Sequence, residues 1–192
     1  MVQPLIGIII MGASGSGKST LGSRLAAALC CRFIEGDDLH PAANVVKMAN
    51  GIPLDDNDRW PWLKRVAGEL GHARDEGCVV SCSALKQSYR DFIRIWAGTP
   101  ILFVHPRVDS AVLHDRLTHR PNHYMPASML ESQLATFEAP EPDEAVLVLD
   151  GTQPVETLVA AVMAYLTTTD AACSFLQVSQ ESSQDAQPGL TS

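Results

Sequence analysis

The chain has 192 residues, 46% of them apolar and 19% charged, with a formal net charge of −8. That length suits one domain with a substantial core, and the composition is that of a folded globular protein. The acidic balance opposes nucleic-acid binding, which needs clustered Lys and Arg, so any anionic ligand must be held by local positive groups. Cys30, Cys31, Cys78, Cys82 and Cys173 make an odd count without C-x-x-C spacing. They indicate no disulfide framework or zinc site, and a reducing cytoplasm is the expected compartment. The apolar run "LIGIIIM" at 5–11 is too short to span a bilayer, so no membrane partner is expected.

Apolar, β-branched runs recur at 5–11, 32–35, 78–82, 100–105 and 145–150. Segments with helical spacing separate them, at 18–30, 41–50, 58–75, 85–97, 109–119, 127–137 and 154–166. Strands apolar throughout belong in a sheet covered on both faces, and alternation with helices makes that sheet parallel. The expected fold is one α/β domain over 1–168 with about five parallel strands. Residues 169–192, ending in "SQESSQDAQPGLTS", have little to bury and read as a disordered tail.

The first strand leads into "MGASGSGKST". Gly12, Gly17, Lys18 and Ser19 fit G-x-x-x-x-G-K-[ST], between a strand and a helix as the motif requires. Small residues let the backbone N–H groups of Gly12, Ala13, Ser14, Gly15, Ser16, Gly17, Lys18, Ser19 and Thr20 surround phosphate oxygens at a helix N-terminus. Lys18 is placed to reach the β- and γ-phosphates and the Ser19 hydroxyl to bind Mg²⁺, so a nucleoside triphosphate with Mg²⁺ is the expected ligand. Gly22, Ala26, Ala27 and Ala28 are expected to let the helix lie close on the sheet. No N-K-x-D motif for guanine is present, and the third strand, "CVVSC", lacks a terminal Asp. Both facts count against GTPase switches and ATPase motors.

The second strand runs into "GDDLHP" at 36–41. Asp37 then falls at the carboxyl edge of the sheet, where ligands of open α/β folds gather. There it can take a proton from an attacking hydroxyl or hold Mg²⁺ through water. Asp38 and His40 have a second reading as caps of the following helix. In "NGIPLDDNDRWPWL", Arg59 is the candidate for an anionic acceptor, or else a structural partner of Asp56 or Asp58. Asn57 or Asp58 is a candidate helix cap, and Trp60 and Trp62 read as core.

These stretches, with "CSALKQSYRDFIR" and "HYMPASMLESQLATFE", resemble the gluconate kinases of the P-loop type over roughly 5–166. The resemblance implies a nucleotide-kinase-like sheet with a helical lid. It also implies ATP- and Mg²⁺-dependent phosphorylation of the 6-hydroxyl of D-gluconate and, often, a homodimer. It favours Asp37 over Asp38 as the base, because the second acidic position varies in the family's motif.

Gluconate needs a cation for its carboxylate, for which Arg59 is the candidate. It needs polar partners for its hydroxyls, for which Asp37, His40, Lys86 and Arg90 are candidates. Ser83 is a candidate cap for the helix carrying Lys86, Arg90 and Arg94 on one face, with Arg94 toward solvent. Cys82 reads as a small buried residue. In "RLTHRPNHYMP", Arg116 is the candidate nucleotide contact, and Arg120 the lid arginine closing over the γ-phosphate. The resemblance implies that the loop "LDGTQP" at 149–154 is the one that touches adenine through its backbone. Two other readings stand beside this one: a kinase of another small sugar acid, and a P-loop regulatory module without transfer activity.

Overall fold

A computed structural model describes residues 7–119 and 127–168. Five strands, β1 (Gly7–Ile10), β2 (Arg32–Glu35), β3 (Cys78–Ser81), β4 (Ile101–Arg107) and β5 (Val146–Asp150), form one sheet in the order β2-β3-β1-β4-β5. Every pairing is parallel. Ile9 of β1 sits between Val80 and Phe103, and the alternating side chains divide between two covered faces. The helices are α1 (Lys18–Ala28), α2 (Ala42–Ala49), α3 (Asp56–His72), α4 (Gln87–Ala97), α5 (Ser110–Thr118), α6 (Ala127–Thr136) and α7 (Val155–Thr168).

On one face Ile9, Val80 and Phe103 pack with Leu63 and Val66 of α3 and Ile93 of α4. On the other, Ile8, Ile10, Val79 and Val104 pack with Leu25 of α1 and Val162 of α7. Burial on both sides explains why these strands are apolar throughout instead of alternating. Gly22 brings α1 down onto β2, for a Cβ there would lie 2.5 Å from the Phe33 ring. Ala26 is buried beside it, but Ala27 and Ala28 are exposed and play no part in the close approach.

From β1 the chain leaves for one edge of the sheet, and from β3 it leaves for the other. The carboxyl ends of these neighbouring strands therefore flank the crevice where an α/β sheet binds its ligands. The predicted elements all form, with shifted ends. Helix α3 begins at Asp56 because Asp55 is its cap: Asp55 accepts from the Asp58 N–H at 2.9 Å, and Asp58 accepts from the Asp55 N–H at 3.0 Å. Helix α4 begins only at Gln87, after a turn through Ala84 at φ 42°. Among the described residues, no helix is long and apolar enough to cross a membrane.

Candidate active site

The loop between β1 and α1 carries Gly12, Gly15 and Gly17 at φ 131°, 85° and 89°, a region that residues with a Cβ rarely enter. Gly17 stands at the N-cap of α1, so the first N–H groups of that helix open into the loop. The loop is seated from below, where the Gly12 N–H donates to the Ser83 carbonyl beyond β3 at 3.1 Å. It is covered from above by a small buried cluster of Ala13, Leu113 of α5 and Leu130 of α6. Lys18 Nζ donates to the Ala13 carbonyl at 2.9 Å, holding its charge at the mouth of the loop. A cavity of about 380 Å³ lies here, lined by Gly15, Lys18, Ser19, Glu35, Asp37 and Arg116 among others. Arg116 reaches from α5 to the Gly15 carbonyl at 3.4 Å and the Gly151 carbonyl at 3.0 Å, tying the phosphate loop to the turn after β5.

A second cavity, of about 390 Å³, adjoins the first and shares Ser14, Lys18 and Asp37 with it. Asp37 is exposed to both, in the 3-10 turn Gly36–Leu39 that directly follows β2. That turn is pressed against β3. A Cβ on Gly36 would lie 1.9 Å from the Ser81 carbonyl, so glycine is required there. Trp62 holds it from α3, donating Nε1–H to the Gly36 carbonyl at 2.7 Å.

The far wall of the second cavity is built around His40, Trp62 and Arg59. The His40 ring stacks on Trp62 at 4.2 Å. Burial, aided by the Arg59 charge, pushes His40 down to about 4, so the imidazole is neutral near pH 7. Its tautomer follows from its neighbours. Asn44 Nδ2 donates to the Asp58 carbonyl at 2.7 Å, which fixes the amide, and the same nitrogen lies 3.2 Å from His40 Nδ1. Nδ1 is therefore the acceptor, and Nε2 carries a hydrogen available for a ligand oxygen.

Arg59 is buried in this wall. Its Nη1 donates to the Tyr89 hydroxyl at 3.1 Å and lies 3.8 Å from Asp56. Asp56 is mainly engaged elsewhere: Lys86 donates to both of its oxygens at 2.8 and 2.9 Å, and Tyr89 donates to it at 2.5 Å. The Lys86 and Tyr89 hydrogen bonds hold the Asp56 carboxyl below its usual range. Asp58 is held by Lys47 at 2.6 Å. The Arg59 charge is therefore only loosely matched by its neighbours and suits an entering carboxylate.

The structure departs from sequence expectation at several positions. Lys86 and Arg90 do not line the second cavity. Lys86 acts at a remove, through Asp56 and Tyr89 to Arg59. Arg90 is fully buried and grips Glu144 through Nε and Nη2 at 2.6 and 2.7 Å, with the Ala84, Leu85 and Glu138 carbonyls on Nη1. The Ala84 turn delays the helix and rotates Arg90 inward beneath residues 84–85. Arg94, expected in solvent, is half-buried over the Phe103 ring and pairs with Asp91 and Glu144. Ser83 lines the acceptor cavity instead of capping α4, whose N-cap is Lys86. The N-cap of α2 is Pro41, without a side-chain cap, so neither Asp38 nor His40 serves there. Cys82 is buried, and burial pushes its thiol up to about 12, which leaves no thiolate to act as a nucleophile. Arg120 and His123 lie outside the described residues, as does the C-terminal tail.

The structure also brings in residues that sequence reasoning passed over. Glu35, the last residue of β2, lines the phosphate cavity and accepts from the Ser81 hydroxyl. Trp62 is a wall of the second cavity as well as core. Met129, Ser132 and Gln133 of α6 close its other side.

A glycine loop between β1 and α1, on a parallel sheet in this strand order with a second polar cavity alongside, defines a P-loop kinase. A family model described as an AAA domain matches residues 8–140. The chain is 48% identical over 150 residues to a gluconokinase of Gluconobacter oxydans, covering 75% of this chain and 82% of that one. It is 42% identical over 159 residues to the thermoresistant gluconokinase of Escherichia coli, covering 81% and 90%. The crystal structure of a gluconokinase from Sinorhizobium meliloti superposes with a TM-score of 0.75 at 39% identity, covering 96% of this chain and 99% of that one. An APS kinase of Mycobacterium tuberculosis, at 17% identity and TM-score 0.63, shares the fold. The chain belongs to the gluconokinase family.

Proposed function

We propose that this protein transfers the γ-phosphoryl group of ATP to the 6-hydroxyl of D-gluconate, giving 6-phospho-D-gluconate and ADP. The observation that carries this reading is the shared border of the two cavities, where Lys18 and Asp37 face both. A donor bound in one cavity and an acceptor bound in the other meet there, which is the positioning that phosphoryl transfer needs.

Gluconate lies with its carboxylate at Arg59 and a hydroxyl oxygen accepting from His40 Nε2–H, so that its 6-hydroxyl reaches Asp37. Asp37 takes the hydroxyl proton as the oxygen attacks the γ-phosphorus, and the bond from that phosphorus to the bridging oxygen of ADP breaks. Lys18 and the loop N–H groups balance the charge that gathers on the phosphoryl oxygens. Arg116 holds the loop's shape through Gly15. The Ser19 hydroxyl and the Glu35 carboxylate are oxygen donors that would hold a magnesium ion keeping much of its water, which leaves Asp37 to take the proton. Magnesium held there would supply positive charge against the phosphate oxygens. The cytoplasm, which supplies ATP and keeps thiols such as Cys30 and Cys31 reduced, is the compartment this reading implies.

The test is ADP release measured by a coupled assay, with gluconate and with a panel of other aldonic acids. Gluconate is expected to give the highest kcat/KM. Preference for another acid moves the acceptor, and strong ADP release without any acceptor refutes the kinase reading.

A further inference from the structure

The Ser14 N–H donates to Oε1 of Gln133 at 2.8 Å, across 119 residues of chain. Ser14 belongs to the phosphate loop and lines both cavities, whereas Gln133 lines the acceptor cavity. Packing sets this contact: Leu130 and Leu134 of α6 join Ala13, Leu113 and Leu117 in the cluster that covers the loop. Because Ser14 contributes an N–H, the Gln133 amide presents its oxygen there, which leaves its NH₂ as a donor on a residue that lines the second cavity. One N–H makes one strong hydrogen bond at a time. A phosphate oxygen that took the Ser14 N–H would have to displace the Gln133 oxygen.

We propose that Gln133 is a positioning residue that couples the two cavities. A phosphoryl group that takes the Ser14 N–H releases the Gln133 carboxamide, which then binds a hydroxyl of the acceptor. The inference rests on the functional reading above and deepens it. By linkage, a nucleotide with a γ-phosphate raises acceptor affinity, and the acceptor raises affinity for that nucleotide by the same factor.

The experiment compares wild type with Gln133→Met, which keeps length but removes both hydrogen-bonding groups. A third protein, Gln133→Glu, keeps an acceptor for Ser14 and places a negative charge beside the phosphate. Calorimetry gives dissociation constants for Mg·AMPPNP with and without gluconate, and for gluconate with and without Mg·AMPPNP; thermal unfolding checks each fold. Wild type is expected to bind gluconate at least about fivefold more tightly when AMPPNP is present. Gln133→Met is expected to bind AMPPNP alone at least as tightly as wild type. Its gluconate affinity in the presence of AMPPNP falls about tenfold, and its coupling factor approaches one. Gln133→Glu is expected to weaken AMPPNP alone about tenfold or more.

A merely structural role would shift AMPPNP binding in the same direction in both variants and leave the coupling intact. That pattern, or wild-type coupling of one, overturns the proposal. If wild type binds and phosphorylates no gluconate, the functional reading fails instead. The opposite responses of the Met and Glu variants to AMPPNP alone then still decide whether Gln133 and phosphate share the Ser14 N–H.

Discussion

In the nucleotide cradle the binding groups are mostly main-chain N–H donors, drawn from one run of residues and shaped by glycines at φ values near 90° and 130°. In the acceptor cavity they are side chains brought from the 3-10 turn, α2, α3, the loop after β3, and α6. The cradle holds charge with backbone dipoles whose direction is set by the loop itself. The cavity instead buries Arg59 and His40 and must organise partners around them, namely Tyr89, Asp56, Lys86, Trp62 and Asn44. Removing the Lys18 side chain from the cradle should therefore remove chemistry without touching the fold. Substitution around the cavity should disturb acceptor binding and stability together.

The sharpest break in that comparison is Lys18→Ala. We expect turnover to fall by about 10³ or more, because the ammonium acts on the charge of the transferred group, while the melting temperature stays near wild type. Near-normal ADP release by this variant would remove the cradle from the chemistry. Asp37→Asn sits on the border and should lower kcat by about 10² to 10³, with the KM for ATP changed by no more than about threefold. If the KM for ATP rises in step with the loss of kcat, Asp37 serves the nucleotide rather than the acceptor hydroxyl.

Arg90→Met tests the packing behind the second cavity, since Glu144 then keeps only the 3.8 Å pairing to Arg94 as a cationic partner. Denaturant unfolding should show a loss of about 3–5 kcal/mol, with the KM for ATP unchanged in the protein that remains folded. An unchanged stability would mean that Glu144 finds water on its own.

The smallest effect concerns pH. Burial pushes both His40 and His105 down to about 4, so the unfolded chain takes up these protons first as pH falls below the ordinary value of 6.5. Stability contributed by the neutral rings is complete above about pH 6.5 and is lost as pH drops toward 4. Melting temperature measured against pH should fall across that window, and His40→Gln should reduce the slope. A flat profile would show that both rings stay accessible to protons in the folded state.

The same contrast decides what could be read from the amino-acid order. Strand periodicity, the glycine spacing and the position of Asp37 after β2 are local features, and each is where the residues suggest. The cavity wall was only half legible. His40 and Arg59 were identified, but the three basic residues at 86, 90 and 94 looked like one helix face because the Ala84 turn leaves no sequence mark. The Arg90 partner lies 54 residues away, and the Gln133 partner 119. Such pairs arise from packing of distant segments, and spacing within a segment carries no trace of them. Glu35 was hidden for another reason. As the last residue of a strand it looks like part of the sheet, although its carboxylate opens into the phosphate cavity.

The most direct measurement is a crystal structure of the complex with Mg·AMPPNP and gluconate. It should show the γ-phosphate at Lys18, the 6-hydroxyl within hydrogen-bonding distance of Asp37, and the gluconate carboxylate on Arg59. A gluconate bound in the reverse sense, with its carboxylate toward the phosphate loop and its 6-hydroxyl at Arg59, would contradict the account.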